Sequence, residues 1–319
     1  MESEICCVCH QPVGPEAQRL GGRIYCEVHY SRVTRERPSA WRAGLGHILG
    51  QLAFVLLVEL LILLLKPTLT GWALLGAGII LALVPALIWL LFFYQQDRLE
   101  PEPKGYVLSV FLLGALLAQA VGIPLLRDLF EVQRWLPLTT WGNILGSILV
   151  VGVTQEFLKY AAVRYSVYRS LEFDERVDGV VYGTAAGLGY ATVLNLNYVL
   201  GSGGVNLSAG VIRVVVTTLA QASFAGVTGY FLGRARFEDE PVWWLPSGVA
   251  LAALLNGLFT YARGELTTTA LDLTGGGFNP WPGLILGGVV ALATFGLVFY
   301  LIRRANRLTL SGIDKGGAK

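Results

Sequence analysis

The sequence predicts an all-α integral membrane protein: a bundle of about eight transmembrane helices preceded by a small cysteine-containing module. Three observations lead to this prediction. Of the 319 residues, 54% are hydrophobic and only 14% are charged, whereas soluble domains carry about 25% charged residues. Apolar runs of the roughly 20 residues that cross a bilayer recur along the chain. All four cysteines, by contrast, lie in one short polar segment at the N-terminus.

The chain is expected to divide into four parts. Residues 1–30 form the polar module, 31–44 a basic linker, 45–302 the membrane domain and 303–319 a tail. No signal peptide is visible, because the first apolar run begins only near Leu45. The formal net charge of +2 is too small to indicate nucleic-acid binding.

The N-terminal module contains two pairs of candidate metal ligands, Cys6-x2-Cys9 and Cys26-x2-His29. Two residues between the members of a pair allow both side chains to reach one tetrahedral ion, so this spacing is typical of structural zinc sites. The segment resembles half of a LIM domain, or a treble-clef or ribbon finger. A redox pair or chance clustering of cysteines is the alternative.

Two further donors, Cys7 and His10, compete with the four predicted zinc ligands. So short a segment cannot fold on its own apolar core, and bound zinc is therefore expected to be required for its order. A closed site with four protein ligands is usually structural. The module is expected to dock a cytoplasmic partner whose identity the sequence leaves open.

The membrane domain contains eight apolar runs, and each is predicted to be a transmembrane helix because backbone polar groups cannot go unpaired in lipid. The runs lie at 45–65, 71–94, 106–126, 141–168, 179–201, 210–233, 243–262 and 281–302. Arginine and lysine concentrate before the first run and after every second run, so both termini are predicted to be cytoplasmic in a multi-pass protein of the plasma membrane.

Glycines recur at every fourth residue of the fifth and sixth runs. The repeating positions are Gly179, Gly183 and Gly187 in the fifth run and Gly229 and Gly233 in the sixth. Small residues at this spacing allow helix backbones to approach closely. The fifth and sixth helices are therefore expected to be buried inside the bundle.

Polar side chains interrupt four successive apolar runs, the fourth to the seventh. They are Gln155, Glu156, Lys159, Asn195, Gln221 and Asn256. A charged group near the centre of a bilayer costs roughly 2.5–3.5 kcal/mol on insertion scales, so such residues usually face a bundle interior and mark a site. We expect a shared cavity. The alternative is hydrogen bonding between helices that only holds the bundle together, worth about 0.6 kcal/mol per bond.

The order of motifs from about residue 85 to 265 resembles the PrsW family of polytopic intramembrane proteases, which are related to the CAAX-type prenyl proteases. The motifs that carry the resemblance are Tyr94-x-x-Asp97, Glu100-Pro101-Glu102-Pro103, Phe173-Asp174-Glu175, Asp178-Gly179, Tyr182-Gly183, Gly187, Gly189, Asn195, Tyr198, Arg213 and Gly229-Tyr230. The resemblance implies a bundle whose catalysis depends on Glu and His side chains within the membrane.

The resemblance also implies which positions carry catalysis, and here this sequence departs from the family. The family's Glu-Glu-x-x-Lys motif is Gln155-Glu156-x-x-Lys159, and its Glu-Asn is Leu194-Asn195. Its two His positions fall on Gln221 and Asn256. Amide and aliphatic side chains do not titrate, so they cannot replace a catalytic acid, base or metal ligand.

These observations predict a protease homologue with weak or absent proteolysis, a pseudoprotease that binds a transmembrane or juxtamembrane protein segment in the bilayer. The first alternative is an active glutamic-type or metal-dependent peptidase that uses Glu156 with an unusual partner such as Glu59. A small-molecule transporter is the further alternative. It would require helices broken near the midplane in two matched halves, and no such pair of breaks is visible.

Overall fold

Regular secondary structure dominates the computed structural model, which describes residues 4–14, 17–20, 23–34, 40–65, 69–97, 100–201, 207–274 and 281–310. Parts of the predicted basic linker (35–39) and of the predicted tail (311–319) lie outside the described residues.

The N-terminal module consists of a hairpin and one short helix. Strands β1 (Gln18–Leu20) and β2 (Arg23–Tyr25) pair antiparallel, and helix α1 spans Glu27–Thr34. The turn after Cys9 uses the left-handed region at His10 (φ 54°), which reverses the chain between the cysteine pair and the hairpin. Among the described residues of the module, only Cys6 and Tyr25 are fully buried.

The membrane domain is all-helical in the described residues. Its helices are α2 (Ala40–Leu65), α3 (Gly71–Tyr94), α4 (Lys104–Leu117), α5 (Val132–Trp135), α6 (Thr140–Gly146), α7 (Val153–Ser166), α8 (Arg176–Gly201), α9 (Leu207–Phe237), α10 (Trp244–Thr274) and α11 (Trp281–Leu310). Wider π-helical turns continue α4 at Ala118–Gly122 and Leu125–Leu129, and a third, Ser147–Gly152, joins α6 to α7. A 3-10 turn, Leu136–Leu138, follows α5.

Seven helical segments are long and apolar enough to cross a membrane: Gly44–Leu65, Gly71–Tyr94, Lys104–Leu138, Thr140–Ser166, Gly210–Phe237, Trp244–Arg263 and Pro282–Thr309. They match seven of the eight predicted runs, and the fold is that of a multi-pass α-helical membrane protein. The predicted fifth run is α8. Its 26 residues give a helix of about 39 Å, but its glycines and polar side chains keep its hydropathy below that of the other seven.

Helix α8 lies at the centre of the bundle, packed against α3, α4 and α9. A Cβ atom added to Gly179 would lie 2.2 Å from the carbonyl oxygen of Gly229, and one added to Gly229 would lie 2.0 Å from that of Gly179. On the opposite side, a Cβ at Gly189 would lie 1.8 Å from the carbonyl oxygen of Phe111. The predicted burial of the fifth and sixth helices is confirmed: backbone contact on two sides explains the glycines.

Helix α2 lies at the edge of the bundle, where it packs against α3 and α9. It exposes a surface rich in leucine, including Leu56 and Leu63, which are 68% and 69% exposed. A helix with so wide an apolar surface requires an apolar solvent, and lipid provides one. An aromatic cluster joins α3 to α11, with Trp89 5.1 Å from Phe295 between ring centroids.

Candidate functional site

The polar side chains of the fourth predicted run project from the first turns of α7. The π-helical turn Ser147–Gly152 precedes them, and such turns often accompany functional sites because they rotate the following residues relative to the preceding helix. Gln155, Glu156 and Lys159 are all buried, Glu156 completely. Because Glu156 and Lys159 are three residues apart, they lie on the same face of α7.

Close backbone approach brings α10 to the π-helical turn that precedes α7. A Cβ added to Gly152 would lie 2.3 Å from the carbonyl oxygen of Ala253, and one added to Gly257 would lie 2.4 Å from Cα of Ile148. Asn256 lies between these two contacts, on α10. The glycines therefore allow the Asn256 amide to reach the side chains of α7.

A similar contact sets the position of Gln221 on α9. A Cβ added to Gly187 of α8 would lie 2.5 Å from the carbonyl oxygen of Gln221. The backbone of α9 is thus held directly against α8, and the Gln221 side chain extends to the polar residues of α7. Three helices, α7, α9 and α10, supply the side chains that meet at this point.

The charged pair lies at the centre of a buried hydrogen-bond network. Lys159 Nζ donates to Glu156 Oε1 at 2.5 Å and to Gln221 Oε1 at 2.7 Å. Asn256 Nδ2 donates to Glu156 Oε1 at 2.7 Å. The carboxylate is therefore neutralised by an ammonium group three residues away, with an amide as its second partner.

The three amides complete the network by bonding to one another. Gln155 Oε1 accepts from Asn256 Nδ2 at 3.0 Å and from Gln221 Nε2 at 3.3 Å. Gln221 Nε2 also donates to Asn256 Oδ1 at 3.2 Å. Glu156 Oε2 is buried without a hydrogen-bond partner in the described part of the chain. The structure thus brings together five of the six predicted site residues of the membrane domain.

Asn195, the sixth, has different partners. Its side-chain amide donates to Thr218 Oγ1 at 2.9 Å and to the carbonyl oxygen of Val214 at 3.2 Å, both on α9. It therefore ties α8 to α9 at positions one and two helical turns from Gln221 along α9. Asn195 and the network are connected through a cavity, not through a hydrogen bond in the described structure.

This cavity has a volume of about 270 Å³. Its lining residues are Leu126, Val132, Leu136, Val151, Gln155, Leu194, Asn195, Tyr198, Arg213, Thr217, Gln221, Phe259, Thr260 and Arg263. Of the network residues, Gln155 and Gln221 line the cavity in the described structure, and Glu156 does not. A molecule in the cavity would therefore meet two amides before it met the carboxylate.

The sequence prediction did not identify Arg263 as a site residue, because it lies just beyond the predicted seventh run, 243–262. Arg263 lines the cavity, and its Nη1 lies 3.4 Å from Thr217 Oγ1. Arg263 follows Asn256 by seven residues, which is two helical turns, so the two residues share a face of α10. This seven-residue spacing is the feature of the sequence that could have identified Arg263 as a site residue.

Metal binding at the buried network does not fit its donor set. Metal-assisted hydrolysis requires His, Cys or carboxylate ligands with an open position. The network has one carboxylate, Glu156, and this group is bound to the Lys159 ammonium. The three histidines of the sequence are His10, His29 and His47, none of which lies in the spans that form the network.

The N-terminal module fits a metal ion well. One donor atom from each of Cys6, Cys9, Cys26 and His29 lies within 4.8 Å of all the others, and Cys26 Sγ lies 3.1 Å from His29 Nδ1. Three thiols and one imidazole at these distances match a tetrahedral structural site. The predicted competitor Cys7 does not belong to this group of donors, and burial raises the pKa of its thiol to about 12.

The structure also shows a cluster of carboxylates that the sequence prediction did not identify as a site. Its members come from the segment before α4 and the segment at the start of α8: Asp97, Glu100, Glu102, Asp174, Glu175 and Asp178. Burial raises the pKa of Asp97 to about 7 and that of Glu102 to about 9. The only signal in the sequence was that these residues belong to motifs that carry the family resemblance.

Comparison with known proteins matches the membrane domain to one family. Residues 102–295 match the model of the PrsW family intramembrane metalloprotease. Protease PrsW of Bacillus subtilis (strain 168) is 31% identical over 192 residues, 60% of this chain and 82% of that protein. Protease PrsW of Oceanobacillus iheyensis is 26% identical over 240 residues, 75% of this chain and 98% of that protein. No solved structure was found to match the chain.

Proposed function

Because the chain belongs to the PrsW family of intramembrane proteases, we propose that it is a member that has kept the helical bundle for binding a membrane segment while peptide-bond hydrolysis is weak or lost. The state of the Glu156 carboxylate is the observation that supports this proposal most directly. Glu156 Oε1 accepts from both Lys159 and Asn256, and the carboxylate does not line the cavity in the described structure.

A hydrolase must activate water, and this requires a group that accepts a proton in the course of the reaction. The amides of Gln155, Gln221 and Asn256 cannot do so. Their hydrogen bonds to one another replace the interactions that titratable groups would make, so the bundle keeps its packing without proton-transfer groups. The family resemblance, in which these positions carry Glu and His, supports the same interpretation.

A catalytic metal, which the family's description implies, does not fit this site either. With one carboxylate, which is already paired with Lys159, and no imidazole or thiol among the described network residues, too few ligands remain. We therefore assign no catalytic step to a metal ion in the membrane domain.

The cavity supports the binding part of the proposal. Apolar side chains such as Leu126, Leu194 and Phe259 form much of its wall, while Gln155 and Gln221 offer amides to a bound backbone. Such a mixture suits a transmembrane or juxtamembrane segment whose helix is locally unwound, because exposed peptide groups in a membrane need hydrogen-bond partners.

Zinc in the N-terminal module and the placement of the chain complete the proposal. Cys6, Cys9, Cys26 and His29 would hold a structural zinc ion, and the ordered module would recruit a cytoplasmic partner. The excess of arginine before the first predicted run and directly after the eighth, 281–302, supports a plasma-membrane protein with both termini in the cytoplasm.

Proteolysis of a panel of single-span, membrane-anchored reporters by the purified protein in proteoliposomes tests this proposal. We expect no cleavage above that of empty vesicles. We also expect a photocrosslinking probe placed at Leu194 to crosslink to a reporter, which would show that the cavity binds it. We also expect the triple variant Gln155→Glu/Gln221→His/Asn256→His to gain cleavage. Efficient cleavage by the natural chain that Glu156→Gln abolishes would overturn the proposal.

One observation favours the second candidate function, an active peptidase that uses Glu156. The Oε2 atom of this residue is buried without a hydrogen-bond partner among the described groups, and a water molecule bound there would be a nucleophile. The proposed second acid, Glu59, lies on α2, which packs against α3 and α9. If this function is correct, Glu156→Gln removes cleavage and Glu59→Gln reduces it.

A further inference from the structure

The carboxylate cluster at the end of the bundle nearest the N-terminal module divides into an outer and an inner set. In the outer set, the Arg23 guanidinium of β2 bridges Glu100 at 3.6 Å and Asp174 at 3.2 Å. It also forms an ion pair with Glu175. The outer carboxylates thus have a cation that the module supplies.

The inner set consists of Asp97, Glu102 and Asp178, with Glu175 between the two sets. These side chains are almost fully buried, with exposed fractions of 2%, 3%, 0% and 1%. None of Asp97, Glu102 and Asp178 forms an ion pair in the described part of the chain. Buried carboxylates without a counter-charge are strongly unfavourable.

Each inner carboxylate uses one oxygen to hold the local fold. Asp97 Oδ2 accepts the backbone N–H of Glu102 at 2.8 Å, and Glu102 Oε2 accepts the Tyr182 hydroxyl at 2.5 Å. Asp178 Oδ2 accepts the backbone N–H groups of Asp174, at 2.8 Å, and of Glu175. The orientation of all three carboxylates is therefore fixed by donors on one side.

The second oxygen of each carboxylate accepts no hydrogen bond from an amide, guanidinium, ammonium or hydroxyl donor within the described structure. These atoms are Asp97 Oδ1, Glu102 Oε1 and Asp178 Oδ1, and all three are buried. One oxygen each from Asp97, Glu175 and Asp178 lies within 4.8 Å of the other two, and Glu102 lies beside Asp178. Oxygens 4–5 Å apart can share one cation at normal bond lengths of 2.0–2.6 Å.

We propose that Asp97, Glu175 and Asp178, with Glu102 beside them, form a binding site for one hard divalent cation, Mg²⁺ or Ca²⁺. All the available donors are oxygens, which suits these ions and not zinc, whose site lies in the cysteine-containing module. The ion connects the segment that precedes α4 to the segment that begins α8. The site is independent of proteolysis, so its existence does not depend on the function proposed above.

Calorimetric titration of the full-length protein in detergent with CaCl₂ and, separately, MgCl₂ tests the site. We expect one ion to bind per chain and thermal unfolding to shift to higher temperature. The variant Asp97→Asn keeps an oxygen that can accept the Glu102 N–H but loses the negative charge, and we expect it to weaken binding at least about tenfold. Asp178→Asn is expected to do the same.

The matched control is Asp239→Asn, which makes the same chemical change at an exposed carboxylate and should leave the affinity unchanged. Circular dichroism and gel filtration identify variants that fail to fold. If Asp178→Asn fails to fold, the affinity of Asp97→Asn alone tests the proposal. Absence of binding by the unmodified protein into the millimolar range would overturn the proposal and indicate that protons neutralise the cluster. Equal affinity in Asp97→Asn and the unmodified protein would overturn it as well.

Discussion

At the scale of single residues, Glu156 and Lys159 illustrate how a pair of charges can exist inside an apolar bundle. Both side chains are essentially inaccessible, at 0% and 1% exposure. Each charge is tolerated because the other is present and because the amides of Asn256 and Gln221 provide a second partner for Glu156 Oε1 and for Lys159 Nζ. The pair is therefore best understood as one neutral unit whose members depend on each other.

Removal of one member should be much more harmful than removal of both. We expect Lys159→Met to destabilise the protein by about 3–5 kcal/mol, because Glu156 is left buried without its counter-charge. The double variant Glu156→Gln/Lys159→Met should recover much of that loss. Equilibrium unfolding in mixed micelles with increasing SDS measures the difference.

The exposed pair Glu131–Arg134 has the same three-residue spacing, with 2.5 Å between its charged atoms, and serves as a control. Because water screens this pair, Arg134→Met should cost no more than about 1 kcal/mol. Equal losses for Lys159→Met and Arg134→Met would contradict the interpretation of the buried pair.

How far the sequence predicts the site also depends on particular residues. Gln155, Glu156, Lys159, Gln221 and Asn256 were identifiable because polar groups in apolar helices are costly, whatever the tertiary structure. The position of Asn195 outside the network could not be predicted, because sequence periodicity gives the face of a helix on which a residue lies but not how the neighbouring helices are rotated. The carboxylate cluster was hidden because two segments distant in sequence and the N-terminal hairpin build it together.

At the scale of elements, the packing of α8 between α4 and α9 sets the geometry of the site. Glycine at the contact points permits backbone-to-backbone distances that any side chain would prevent. The spacing of these glycines made the buried position of both helices predictable. The π-helical turn before α7 was not predictable, because nothing in the residue pattern of Ser147–Gly152 distinguishes it from an α-helix.

A side chain at Gly229 should force α8 and α9 apart. We expect Gly229→Val to cost about 3 kcal/mol or more, or to prevent assembly of the bundle, since its Cβ would meet the carbonyl oxygen of Gly179 at 2.0 Å. Gly288→Val, on α11, is the matched control because a Cβ there meets no atom within 4 Å. Thermal unfolding of both variants in detergent gives the comparison, and equal midpoints would be inconsistent with close α8–α9 contact.

If the N-terminal module binds zinc as proposed, its order should depend on the ion in the same all-or-none manner as in other small zinc-binding segments. We expect the purified chain to contain one zinc ion and Cys26→Ser to contain almost none, measured by inductively coupled plasma mass spectrometry. Cys7→Ser should retain the ion, because Cys7 is outside the group of four donors. Loss of zinc from Cys7→Ser but not from Cys26→Ser would show that the ligand set is different.

At the scale of the whole molecule, the hydropathy of the sequence predicted the class of fold and seven of its spanning helices. It is less informative about α8, whose neighbours replace lipid as its surroundings. A helix enclosed by other helices needs small and polar residues for contact, so its hydropathy falls below that of a helix that faces lipid.

The side of the membrane on which each terminus lies tests whether α8 crosses. Eight crossings place both termini on the same side, whereas seven place them on opposite sides. We expect epitope tags at both ends to be cytoplasmic, and therefore resistant to protease in intact spheroplasts and cleaved after permeabilisation. A periplasmic or extracellular C-terminal tag would exclude the eight-span arrangement.

The bridge that Arg23 forms to Glu100, Asp174 and Glu175 has a consequence for how this protein can be divided. The family match begins at residue 102, so a shortened chain that starts at α2 would contain all the matched residues. Such a chain would lack the guanidinium that pairs with three of its acidic groups. The carboxylates of the loop leading into α8 would then repel one another without this counter-charge. Strand β2 thus supplies a counter-charge to this end of the bundle, and a truncated protein would lack it.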